Sequence, residues 1–196
     1  MQKQALIVLR HADDLASNWI PTPGSSFMLP TGQVVPVPQR ALTAAGEDRA
    51  RLLSTVIPVW LDQCNYEPVT RVVVRDPSSV SETPNPFDTI YPFIVFNGIL
   101  DVQLVVGPLT DPARWLSTFG STIICWDCEG MWGPKTNGVR PTAPVAGSIL
   151  DHLSSVKLTG DEYPQKAETL YAFTDQASTG KFNLAISLVS EILTKE

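Results

Sequence analysis

The sequence predicts one α/β domain over 1–196, a three-layer sandwich with a mainly parallel sheet between helices on both faces. Three observations predict it. Residues 5–9 form a continuous apolar run, and 71–75 and 122–125 have β-branched apolar centres, as in strands buried on both faces. Stretches with apolar residues at helical spacing lie between them. The alternation carries no internal repeat and no linker that would split the chain. At 196 residues with 43% apolar, the chain can fill one core and would be cramped as two.

The elements follow in order. Residues 5–9 read ALIVL, a first strand, and end in the polar cluster Arg10-His11-Ala12-Asp13-Asp14. Residues 17–39 are rich in Pro, Gly and Ser, with turn signals at Thr22-Pro23-Gly24 and Pro30-Thr31-Gly32. They read as a long loop over the site, with room for a short hairpin. Thr43 offers an N-cap, and Ala50, Leu53, Ile57 and Trp60 recur at helical spacing, so a helix is expected over 44–62. RVVVR at 71–75 is the second strand of the sheet. Asn85-Pro86 reads as an N-cap followed by Pro at the first helical position, with Phe87, Ile90, Tyr91 and Ile94 as the apolar stripe. A strand is expected at 102–106, a short helix from Asp111-Pro112 to Trp115, and a buried strand at 122–125. A strand pair is expected at 169–173 and 182–186 and a helical turn at 189–193. The turn-rich segment 132–144 should cap the site together with the loop at 17–39.

Composition narrows the function classes. With 14 Lys+Arg against 20 Asp+Glu, the net charge is −6 and no basic run occurs, which argues against a nucleic-acid groove. No apolar stretch approaches the ~18 residues of a membrane span. The run at 5–9 is too short for the core of a secretory signal. Three cysteines do not make a disulfide scaffold, so the expectation is a cytoplasmic protein. No cofactor is called for. The expected partner is a small molecule, and a homo-oligomer is compatible with the sequence.

Arg10-His11 is the sharpest local signal. It directly follows a buried strand, and ligand sites of open α/β sheets form at the carboxyl ends of strands. His11 is one of only two histidines. The pair, followed by Leu42-Thr43-x-x-Gly46-x-x-x-Ala50, resembles the histidine phosphatase superfamily (phosphoglycerate mutase-like). Chains of that family begin with a strand ending in Arg-His-Gly and carry Leu-Thr-x-x-Gly-x-x-Gln-Ala at a helix start. Val72-Val73-Val74-Arg75-Asp76-Pro77 resembles the family's strand and Ser-Pro loop. The block from Asn85 to Pro92 resembles its Arg-x-x-x-Thr-x-x-Pro helix start, and the run from Thr122 to Cys128 resembles the strand that leads to its second His.

The resemblance implies a phosphate cradle in which one His takes up the phosphoryl group. A second His, two Arg and an acid hold its oxygens and protonate the leaving group, because phosphoryl transfer relies on positioning and charge stabilisation. Arg10 and His11 match the first Arg and the nucleophile. Ala12 replaces the usual Gly, and Asp13 stands where Glu often follows. Asn85 occupies the place of the second Arg, and Cys128 (or Trp126 in a shifted alignment) that of the second His. Arg75 could reach in from its strand end, while Asp76, Asp127 and Glu129 would repel a phosphate dianion. The expectation is therefore a degenerate phosphate pocket, repurposed for a weakly anionic or apolar small molecule. His11 is its central acid or base, with Arg10, Asp13 and Glu129 as catalytic partners. Arg75, Asn85, Trp126, Cys128, Trp19 and Trp132 are the expected substrate contacts. Weak hydrolysis through phospho-His11, or binding without turnover, is the alternative.

A second class rests on Cys125-Trp126-Asp127-Cys128, a C-x-x-C at a strand-to-helix junction, where redox pairs are kept. Against it, Asp127 between the thiols would raise their pKa. A metal centre is not expected: of Cys64, Cys125, Cys128 and His152, only one pair has ligand spacing.

Overall fold

The computed structural model describes residues 4–12, 22–40, 42–78, 84–110, 112–115, 117–139, 141–153, 169–176 and 181–188. The elements are β1 (Ala5–Arg10), β2 (Thr22–Met28), β3 (Val34–Arg40), α1 (Ala44–Gln63), β4 (Val69–Arg75), α2 (Asn85–Phe96) and β5 (Asp101–Val105). They are followed by a 3-10 turn (Pro112–Trp115), β6 (Ser121–Trp126), α3 (Cys128–Trp132), α4 (Ile149–Leu153), β7 (Thr169–Gln176) and β8 (Lys181–Leu188). The turn expected at 189–193 lies outside the described residues.

Six strands form one sheet in the order β5-β4-β6-β1-β7-β8. Pairing is parallel across β5, β4, β6 and β1, and antiparallel from β1 to β7 and from β7 to β8. The fold is thus α/β, with a mostly parallel sheet and helices on both faces. Side chains alternate between those faces with period two. Ile7, Leu9, Val72, Val74, Ile123 and Cys125 point to a first cluster with Leu53, Ile57 and Trp60 of α1 and Phe87, Ile90 and Phe93 of α2. Leu6, Val8, Val73, Ile124 and Trp126 point to a second cluster with Met131, Trp132, Ile149 and Leu150 of α3 and α4.

The connections obey one handedness. From β1 to β4 and on to β5 the chain moves in one direction across the sheet, and α1 and α2 share the first face. From β5 back to β6 it moves the other way, and Trp115 of the 3-10 turn packs on the second face. The reversal places β6 between β4 and β1, where all six of its residues are buried.

Local rules explain the helix boundaries. Thr43 caps α1 as expected, its hydroxyl accepting from the Gly46 N–H at 3.0 Å. At α2 the structure shifts the cap by one residue. Pro84 is the N-cap, Asn85 and Pro86 take the first two helical positions, and no side chain caps the turn. Pro86 is tolerated there because its missing N–H belongs to the first turn, where no intrahelical acceptor exists. The long loop contains the hairpin β2–β3, whose Phe27 packs edge-on against Phe87 (5.9 Å) and Tyr91 (4.7 Å) in the first half of α2. Among the described residues no helix is long and apolar enough to cross a membrane.

Pro58 lies inside α1 and removes the N–H that would meet the Ser54 carbonyl. The Asn97 amide, from the C-cap of α2, donates to that carbonyl at 3.1 Å and to the Phe93 carbonyl at 3.1 Å. One side chain thus repairs the ladder of α1 and ends α2. Asn97→Ala should destabilise the fold by about 1–3 kcal/mol, the range for stranding a buried hydrogen-bonding group. Urea unfolding checks this, with Asn97→Asp, which retains an oxygen but not the amide hydrogens, expected to do no better.

Candidate functional site at the carboxyl ends of β1, β6 and β4

Three adjacent parallel strands end together. β1 delivers Arg10 and His11, β6 delivers Trp126 and Asp127, and β4 delivers Arg75 and Asp76. The ladder runs one residue past β1, because the His11 N–H donates to the Trp126 carbonyl at 3.0 Å. The Ala12 N–H then donates to Thr89 Oγ1 at 2.8 Å, and that hydroxyl donates to the Asn85 carbonyl at 2.7 Å. Thr89 is fully buried, so this bridge ties the exit of β1 to the first turn of α2 away from water.

His11 is 6% exposed. Its Nδ1 lies 2.8 Å from the Ala12 carbonyl oxygen. A carbonyl only accepts, so Nδ1 carries a proton and donates it to this oxygen.

Across β6, the Arg75 guanidinium forms an ion pair and a hydrogen bond with Asp127 Oδ2. It also lies over the Trp126 ring, 5.9 Å from its centroid. The pleat explains this: Arg75 has the parity of Val73 and so shares the second face with Trp126. Asp127 has two duties. Its other oxygen accepts the Gly130 N–H at 2.7 Å and caps α3. Asp76 is held in its own turn, accepting the Ser78 N–H at 2.8 Å.

Of the expected site residues, the fold brings Arg10, His11, Arg75 and Asn85 to one end of the sheet, with Asn85 buried in the first turn of α2. Glu129 is exposed, in the first turn of α3. Trp126 and Trp132 are fully buried in the second cluster, and the Trp132 Nε1–H donates to the Pro141 carbonyl at 3.2 Å. The Trp126 indole serves as the floor beneath Arg75. Asp13 and Trp19 lie outside the described residues, and Cys128 is described by its backbone alone, as the first residue of α3. His152 is exposed on α4. Among the described residues no group of three or more His, Cys, Asp or Glu is placed to hold a metal.

Two residues at this end were not among the sequence candidates. Asp88 is 3% exposed and Thr89 is 0% exposed. They stand three and four positions after Asn85, hence on one helix face with it. That spacing was the available signal. Burying a carboxylate and a hydroxyl costs free energy unless partners compensate, and Thr89 finds its partners in the Ala12 N–H and the Asn85 carbonyl.

Cys125 does not suit the redox reading. Burial, with the Asp127 charge adding to it, pushes its thiol far above the ordinary thiol range. Redox thiols need the opposite shift.

Two measurements follow. Thr89→Val should cost about 1–3 kcal/mol, because it strands the Ala12 N–H without an acceptor, and it should broaden or shift the His11 ring resonances. For Cys125 the folded-state pKa lies above the unfolded one, so its contribution is present at neutral pH and is lost as pH rises. Above about pH 8.5 the unfolded chain releases a proton that the folded chain retains. Wild-type stability should therefore fall there more steeply than that of Cys125→Ala, by up to about 1.4 kcal/mol per pH unit. Equal slopes in pH-dependent denaturation would show that the thiol ionises in the folded state.

Compared with known proteins, the chain matches no family model, no curated protein and no solved structure.

Proposed function

We propose that the chain is a divergent histidine-phosphatase-like protein whose pocket beside His11 is repurposed to bind or convert a weakly anionic or apolar small molecule. The observation that carries this reading is the ion pair between Arg75 and Asp127. In a phosphate cradle the guanidinium groups are spent on the ligand's oxygens. Here the guanidinium best placed to join Arg10 is already matched by a carboxylate, and that carboxylate is kept in place by capping α3.

The surrounding charges support the same reading. Arg10 and Arg75 stand at this end of the sheet with Asp76, Asp88, Asp127 and Glu129. Asn85, neutral, takes the position that the resemblance gives to a second Arg. Among the described residues a dianion entering here meets more carboxylate than guanidinium, a repulsion that a singly charged ligand feels less and a neutral one escapes. His11 Nε2 supplies acid–base chemistry in such a pocket: as the neutral ring it accepts a proton, and as the imidazolium it returns one. The same lone pair favours residual phosphoryl uptake as the second reading.

Steady-state hydrolysis of p-nitrophenyl phosphate tests the proposal. Wild type should turn over at least a hundredfold below the ordinary enzyme rate of about 10 s⁻¹, since losing one preorganised donor alone typically costs about 10²–10³. His11→Ala should remove whatever hydrolysis remains, and His152→Ala should leave it intact. Asp127→Asn retains an N-cap oxygen but releases the Arg75 charge, and should tighten inorganic phosphate binding by about tenfold or more. Wild-type turnover near 10 s⁻¹ would sink the proposal, as would an Asp127→Asn variant with unchanged phosphate affinity.

A further inference from the structure

The far end of the sheet carries a second concavity, and nothing in the His11 account uses it. A cavity of about 230 Å³ is lined by Pro58, Leu61 and Asp62 of α1, Tyr66 and Pro68 of the following loop, Val69 of β4, and Phe93 and Asn97 at the end of α2. Val69 opens β4 and Arg75 ends it, so the cavity and the His11 site are separated by the strand's length, about 20 Å.

Its chemistry is one-sided. The walls are mainly apolar, with the Phe93 and Tyr66 rings among them. Its polar side chains are the exposed Asp62 carboxylate, the Tyr66 hydroxyl, which can accept as well as donate, and the Asn97 side chain, whose amide hydrogens are committed to the Ser54 and Phe93 carbonyls. Among the described residues no lysine or arginine lines the cavity. Both α1 and α2 also end here, and neither has a basic residue in its last turn. The negative ends of two helix dipoles therefore converge beside a carboxylate with no cationic side chain in either last turn. Aromatic faces favour cations as well. In volume the cavity exceeds the roughly 150 Å³ that holds a benzene ring and falls short of the roughly 300 Å³ at which drug-sized pockets begin.

We propose that this cavity is a second ligand site, for a small organic cation: a primary ammonium on an apolar body of about one ring. The apolar body enters between Leu61, Val69 and Phe93, and the ammonium stays at the Asp62 rim, where it remains partly hydrated. This site does not depend on the function proposed for His11.

Benzylammonium is the probe, with benzyl alcohol and benzoate as its neutral and anionic counterparts, titrated into the ¹⁵N-labelled full chain at low salt. Benzylammonium should bind in the millimolar range and about tenfold more tightly than benzyl alcohol, and benzoate more weakly than either. Amide shifts should centre on Leu61, Val69 and Asn97 and leave Arg10, His11 and Ala12 in place. Asp62→Asn should remove the preference for the ammonium while benzyl alcohol binds as before. Raised salt should weaken the ammonium alone. Val69→Phe, which fills the cavity, should weaken both. Equal affinity for the three probes, no binding by any, or shifts confined to the carboxyl ends of the strands would overturn the proposal.

Discussion

The structure depends on β6 being inserted in parallel between β1 and β4. Every residue of that strand is buried, from Ser121 to Trp126, and its backbone pairs on both edges. Such a strand must be apolar on both faces and must be covered on both. Ile123 and Cys125 meet the layer of α1 and α2, and Ile124 and Trp126 meet that of α3 and α4. The insertion also decides which strand ends become neighbours. It sets Arg10 against Trp126 in register, brings Arg75 over the same indole, and leaves Asp127 as the residue that all the nearby groups must accommodate.

Asp127 couples local structure to electrostatics. An N-cap carboxylate is held in one place by the backbone it caps, and this one uses its second oxygen for Arg75. The cation is thereby held above Trp126. On the other side of β1, Thr89 performs the matching task with a neutral hydroxyl, joining the Ala12 N–H to α2. His11 lies between these two anchors with its tautomer set by the Ala12 carbonyl. The result is a hydrogen-bonded frame around one imidazole, in which the Arg75 charge is matched by Asp127.

The opposite end of the sheet is built by different means. There the helix ends are closed mainly by backbone, as in the Tyr66 N–H to Leu61 carbonyl and the Ile99 N–H to Ile94 carbonyl bonds. Asn97 joins α1 to α2 across the gap that Pro58 opens. A proline inside a helix that would otherwise be a defect thus becomes part of the wall of a cavity, since the ring that removes a donor also supplies an apolar surface.

Much of the fold was legible because strands buried on both faces have apolar centres, and ALIVL, RVVVR and TIIC mark three of the four parallel strands directly. The long helix was legible because Thr43 and the stripe from Ala50 to Trp60 agree on both cap and face. Arg10 and His11 were legible as the polar end of a buried strand. The sequence by itself therefore determined most of the six-stranded sheet, the two long helices and the end of the sheet where polar groups gather, but not the short helices α3 and α4 that cover its second face. It did not determine the pairings among those groups. Arg75 and Asp127 are 52 positions apart, and Ala12 and Thr89 are 77 apart. Nothing local distinguishes an arginine that will hold a ligand from one that will hold an aspartate, or a tryptophan that lines a pocket from one that fills a core. Only the strand order, with β6 between β4 and β1, brings those groups within bonding distance, and strand order is fixed by the packing of the whole sheet and its two helical layers.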